Sequence, residues 1–337
     1  MIFDGLKFHN VAEMVPDGDG HLLYRLPKDM AEKMNTGIRD RTAFMCSGVE
    51  IRFRLQSERV TLHLKARPAE EAQTALIYFG TYPGGWQFST KTIGTEDTAI
   101  TIEYPQSIRE LEQEAKKNEA AFSPYLVRLL LPYGVISYLG KEGETLPPQE
   151  GDEPALTLLS YGSSITHGSL GLVPTSTYAF EMASGLRLDT LNQGYAGSAH
   201  MEKEMAEYLC SRRDWHVCTL EMGVNMLGTE LNSEQYERRI AEFLEIMKQD
   251  GRPLFATDIF TFRGDSGRAE EFRAIVKRQT KRLGICYTPG IELLREVEYV
   301  SADNVHPTWE GQMTIARRWG KVIRENLSER VTRQNQF

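Results

Sequence analysis

Cysteine is scarce in this 337-residue sequence: Cys46, Cys210, Cys218 and Cys286 are the only four, and no two of them form a C-x-x-C pair. That usage argues against a disulfide framework and against a metal site, and reads as reduced thiols in apolar surroundings. Long apolar runs are missing as well. Nowhere do about 18 apolar residues follow one another, and the N-terminal MIFDGLKFHNVAEM carries acids where a secretion signal needs a continuous apolar core. A cytoplasmic chain without membrane association is the expectation. Excess positive charge is absent too. The 39 Lys and Arg stand against 47 Asp and Glu, a net charge of -8, which disfavours nucleic acid as a partner and would require a local basic pocket for an acidic substrate. There is no internal repeat and no low-complexity tract.

What is present divides into two rhythms. The length exceeds the usual size of one domain, so two domains with separate cores are expected. From about residue 45 to 135 apolar and polar residues alternate. Val49, Ile51, Phe53 and Leu55 are apolar, with Glu50, Arg52 and Arg54 between them, and Val60, Leu62 and Leu64 alternate with Thr61, His63 and Lys65. Each run reads as a strand with one face in water. Further runs at ALIYFG, GWQFST, TAITIEY and YLVRLLLPYGV give the spacing of an antiparallel β-sandwich. The charged IRELEQEAKKNEA reads as a short exposed helix or a long connection. Tyr82 and Trp86, in TYPGGWQF, could offer a carbohydrate platform, although a turn packed by its own aromatics explains them as well.

The stretch GKEGETLPPQEGDEP combines prolines, glycines and acids and reads as the boundary between domains spanning 1–145 and 153–337. Beyond it, strand-like LTLLSY, RLDTLN, HVCTLEM, PLFATDIF and GICYTP alternate with helical stretches, the pattern of a parallel sheet covered on both faces. The clearest helix starts near Ser233. Its Tyr236, Ile240, Phe243, Leu244 and Met247 form one apolar stripe, and Gly251 with Pro253 stops it.

In a sheet of this kind ligands sit beyond the carboxyl ends of the strands, and the first strand leads directly into YGSSITHG. By itself that loop could cradle a phosphate, present a nucleophile or simply be polar. Three later segments bear on the choice. NQGYAG and MGVN, after the next two strands, supply glycines whose N–H groups can approach an oxygen closely, and Asn225, a neutral side-chain donor. DNVHP places Asp303 three residues before His306, close enough for a carboxylate to hold an imidazole within one turn, and Pro307 suits the first position of a following helix.

In this order the four segments resemble the blocks of the SGNH, or GDSL-type, hydrolase superfamily, and the layout is similar to that of two-domain carbohydrate acetyl esterases with an N-terminal β-sandwich. The resemblance implies an α/β fold: a flavodoxin-like, three-layer parallel-sheet hydrolase domain preceded by a jelly-roll-like antiparallel sandwich. It implies a cofactor-independent serine esterase with Ser164 as nucleophile, His306 as general base and Asp303 as its orienting partner. The oxyanion donors would be the N–H groups of Ser164 and Gly197 and the Asn225 side chain. Ser163 stands where the common first block has Asp, and Met226 where the third block often has Asp. Neither replaces a catalytic group, and Ser163 reads as a helix cap. His167, His200 and Trp309 are candidates for substrate contact, and Gly194 reads as a turn residue.

The implied substrate is a small acyl ester, acetyl above all, on a sugar or oligosaccharide, because no long apolar insertion interrupts the catalytic loops. A short-chain ester, thioester or lysophospholipid hydrolase and a non-catalytic carbohydrate-binding protein are the alternatives. A flavin-phosphate loop would leave DNVHP without a purpose. Homo-oligomerisation is open.

Overall fold

The computed structural model describes residues 1–69, 73–85, 89–264 and 266–334, with side chains to residue 328. Trp86 lies outside the described residues. The chain divides into two compact units, Met1–Ala155 and Leu156–Phe337.

The first unit consists of two antiparallel sheets. One contains the strands Leu6–His9, Glu50–Leu55, Val127–Leu130 and Thr74–Phe79 in that order, and the other Thr98–Glu103, Arg59–Ala66, Ile136–Glu142, Gly20–Tyr24 and Glu13–Asp17. Alternation explains the second sheet. Val60 pairs across from Ile102 and Leu62 from Ile100, all four are buried, and each such side chain contributes about 1.5–3 kcal/mol by leaving water. They join Phe8, Ile51, Phe53, Val127 and Leu129 in one core. IRELEQEAKKNEA is the helix Ile108–Lys117.

The first sheet corrects one expectation. Glu50 and Arg52 do not face water: they are 2% and 0% exposed. Arg52 and Arg128 are cross-strand neighbours, and the Glu50 carboxylate accepts from both, at 2.8 and 2.7 Å. Arg52 also donates to Glu153 (2.7 Å), which pairs with Lys7, and the Arg128 guanidinium lies 3.8 Å from the centre of the Phe122 ring. The alternation is real, but its polar face is covered and satisfied by pairing rather than by solvent. The segment read as the domain boundary is tied to the same sheet. Thr145–Leu146 forms a short strand against Glu50–Leu55, and Asp152 accepts two hydrogen bonds from Arg54, both at 2.8 Å.

In the second unit five parallel strands, β1 (Thr157–Gly162), β2 (Asp189–Gly194), β3 (Val217–Glu221), β4 (Leu254–Thr257) and β5 (Cys286–Thr288), lie in the order β2-β1-β3-β4-β5. This is the flavodoxin-like order, whose switch point lies beside β1. Helices α1 (Ser164–His167), α2 (Tyr178–Gly185), α3 (Lys203–Ser211), α4 (Ser233–Gln249), α5 (Gly267–Leu283), α6 (Gly290–Leu293) and α7 (Trp309–Gln334) connect and flank them. All five residues of the expected α4 stripe are fully buried, and Asn232 with Gln235 closes a reciprocal cap at its start. Tyr236 stacks on Phe272 of α5 at 3.7 Å. Among the described residues no helix is long and apolar enough to cross a membrane. None of the four cysteines is in a disulfide. Cys46 and Cys218 are buried, while Cys210 and Cys286 are only partly so, and burial pushes the Cys46 thiol up to about 12.

Candidate active site

The strand-to-helix turn after β1 is built around close contacts. A side chain at Gly162 would stand 2.1 Å from Thr166 Oγ1 and 2.4 Å from Glu221 Oε2, so only glycine lets the chain turn here. Ser163 is extended and caps α1, its hydroxyl accepting the Ile165 N–H at 3.1 Å. That leaves Ser164 as the first helical residue, 7% exposed. Residue 163 therefore holds the turn, and residue 164 is the one whose hydroxyl meets a side chain from outside it.

His306 reaches this turn from a loop that ends in α7. Its Nε2 lies 2.7 Å from Ser164 Oγ, and its Nδ1 lies 2.7 Å from Asp303 Oδ2. A carboxylate oxygen can only accept, so Nδ1 carries the ring proton and Nε2 is left to accept from the serine hydroxyl. The second oxygen of Asp303 accepts from the Ser301 hydroxyl (2.6 Å) and from the N–H groups of Val305 and His306 (2.9 Å each). Partial burial pushes the Asp303 carboxyl upward, but these donors and the His306 ring outweigh it and hold the group well below the usual carboxylate range. Arg263 fixes the loop from outside: it donates to Asn304 Oδ1 (2.9 Å), the Val300 carbonyl (2.8 Å) and the Ser301 carbonyl. Asn304 has a φ of +71°, a conformation that asparagine tolerates better than most residues. Pro307 does not begin the helix. It pairs with Val300 in an isolated bridge, and α7 starts at Trp309.

The loops after β2 and β3 carry the two other expected donors. Gly197 is exposed with φ +71°. Asn225 lies in a short turn after Gly223, and its Oδ1 accepts the Ala199 N–H at 3.1 Å. With the oxygen so engaged, the amide NH2 is the free end of the side chain. The bond also ties the Asn225 loop to the Gly197 loop.

Four further residues singled out in the sequence take the following places. His167 is 1% exposed, and its Nδ1 lies 3.1 Å from the Gly194 carbonyl; it binds α1 to β2 and does not face a substrate. Gly194 ends a strand and is no turn residue, and a side chain there would meet the His167 backbone at 2.2 Å. His200 is half-buried. Burial lowers its imidazole, opposed by the negative charge of Glu202. Trp309 is 45% exposed and lines a groove of about 680 Å³ with Tyr299, Met313 and Glu181.

Beneath the turn lies a group that motif reading missed. Glu221, the last residue of β3, is 1% exposed. Its Oε2 accepts the Ser163 N–H at 2.6 Å and the Thr166 hydroxyl at 3.0 Å. Since Thr166 has one hydroxyl proton, Tyr178 donates to Thr166, 2.5 Å away. Gln312 of α7 completes the support by donating to the Ile165 carbonyl (3.1 Å) and accepting from the Tyr178 N–H (2.9 Å). A glutamate closing an otherwise apolar strand, in HVCTLEM, was the available signal.

Residues 160–313 match the GDSL-like Lipase/Acylhydrolase family. No curated protein sequence matches the chain. Solved structures similar to it include a salicylyl-acyltransferase, SsfX3, from a tetracycline biosynthetic pathway, at 15% identity over 93% of this chain and 92% of that one, with a TM-score of 0.73. A family two carbohydrate esterase from Clostridium thermocellum in complex with cellohexaose is 11% identical over 96% and 99%, with a TM-score of 0.61. An acetyl xylan esterase from the rumen bacterium Butyrivibrio proteoclasticus is 10% identical over 97% of each chain, with a TM-score of 0.55. At these identities the likeness is one of fold, and it extends over both units.

Proposed function

Because residues 160–313 form a GDSL-like lipase/acylhydrolase domain, a carboxylic ester hydrolase module, we propose that this chain removes small acyl groups, acetyl above all, from carbohydrate hydroxyls through Ser164, His306 and Asp303. The observation that carries the reading is the continuous line Asp303–His306–Ser164, with both links at 2.7 Å and the ring proton on the Asp303 side.

In the first step Ser164 Oγ attacks the ester carbonyl as its proton passes to His306 Nε2. The ionised Asp303 stabilises the resulting imidazolium. The N–H groups of Ser164 and Gly197 and the Asn225 amide receive the oxyanion, and His306 returns the proton to the departing alcohol oxygen. Water then attacks the acyl-serine, giving its proton to His306. Collapse releases the acid and restores Ser164.

The carbohydrate part of the proposal is supported by the names of two fold relatives, a carbohydrate esterase bound to cellohexaose and an acetyl xylan esterase. Wild type and Ser164→Ala are to be assayed on acetylated xylo-, gluco- and manno-oligosaccharides and on nitrophenyl esters of rising chain length. The expected result is turnover concentrated on acetyl sugars, with kcat lowered roughly 10³- to 10⁶-fold in the variant. A Ser164→Ala protein with full activity would end the proposal, and glycan binding without any turnover would favour the binding-protein reading. The likeness to an acyltransferase adds one arm to the assay, in which acyl transfer to an added alcohol is measured beside release of the acid.

A further inference from the structure

The nucleophile turn rests on a carboxylate that the steps above do not use. Glu221 is held on one side only. Oε2 accepts the Ser163 N–H and the Thr166 hydroxyl, whereas Oε1, fully buried, has no hydrogen-bond partner among the described residues. Both donors belong to the turn that presents Ser164: one is the amide next to it in the chain, and the other lies two residues beyond it. Tyr178 stands behind Thr166, its hydroxyl 2.5 Å away, so the Thr166 proton is left for Glu221.

We propose that Glu221 is a positioning residue for the Ser164 reaction. Its Oε2 fixes the turn through Ser163 and Thr166, and so sets where Ser164 Oγ stands against His306 Nε2. This rests on the reading of Ser164 as nucleophile. A glutamine can supply the same accepting oxygen to the Ser163 N–H and the Thr166 hydroxyl, whereas a leucine cannot.

The test is the rate at which a fluorophosphonate labels wild type, Glu221→Gln and Glu221→Leu from pH 4 to 9, with kcat and KM on a nitrophenyl acetate substrate. Glu221→Gln keeps the acceptor and is expected to label within about threefold of wild type. Glu221→Leu loses it and is expected to label roughly 10- to 100-fold more slowly, with kcat lowered to match and KM within about twofold. A Glu221→Leu protein that labels as fast as wild type, or a Glu221→Gln protein as slow as Glu221→Leu, overturns the proposal. If wild type is not labelled at Ser164, the nucleophile reading itself fails, and that outcome is separate from the behaviour of the variants.

Discussion

Each unit of this protein buries a glutamate almost completely, and the two are treated in opposite ways. Glu50, in the sandwich, is enclosed by two arginines that satisfy it, and although burial alone would raise it, Arg128 and Arg52 hold it down to about 2. Glu221, beneath Ser164, has two neutral donors on one oxygen and none on the other, and burial leaves it raised. The consequences for stability have opposite signs. The Glu50 contribution is fully present above the unfolded carboxylate value near 4.5 and is lost as pH falls toward about 2. Ionised Glu221 costs stability, a cost that sets in as pH rises from the unfolded value through the raised folded one. The fully paired carboxylate ties strands of the sandwich together, and the half-paired one holds the turn on which Ser164 sits.

Glu50→Gln is the sharpest way to break the sandwich half of that comparison. It leaves two buried guanidinium groups without their shared anion, and breaking such a pair costs roughly 3–5 kcal/mol. Chemical denaturation at pH 7 measures the loss, and the gap from wild type should narrow as pH falls toward 2, where Glu50 itself takes up a proton. A variant as stable as wild type at pH 7 would mean that the network contributes nothing net. On the catalytic side, Asn225→Ala removes one of the proposed oxyanion donors and is expected to lower kcat roughly 10²- to 10³-fold. Its effect on stability should be smaller, limited to the single Ala199 N–H that Asn225 accepts. If denaturation midpoint and kcat fell together, Asn225 would belong with Glu50 as a structural residue.

The sequence made some of this legible. Ser164, His306 and Asp303 could be found because each sits in a short block and the blocks follow in order, so that no single block had to carry the argument. The α4 stripe was legible because five apolar residues at helical spacing have one face to bury. The wet face assigned to Glu50 and Arg52 failed for a definite reason. Alternation reports which residues share a face, not whether a polar face meets water or meets partners on Val127–Leu130 and at Glu153. The strands Leu6–His9 and Gly20–Tyr24 were missed because each is short and follows a turn such as Asp4-Gly5. Glu221 and Arg263 belong to no motif. Their roles arise only when β3 is laid beside β1, and when the segment after β4 reaches the Asp303–His306 loop. His167 shows the converse, a motif histidine whose ring is used to join α1 to β2.

Ser164 is proposed as the activated hydroxyl of the second unit. Intact-mass and peptide-mapping analysis of the wild-type protein after treatment with a fluorophosphonate is expected to find a single adduct, located on Ser164 and absent from Ser164→Ala. An adduct on any other residue, or ester turnover by a protein in which Ser164 stays unmodified, would contradict it.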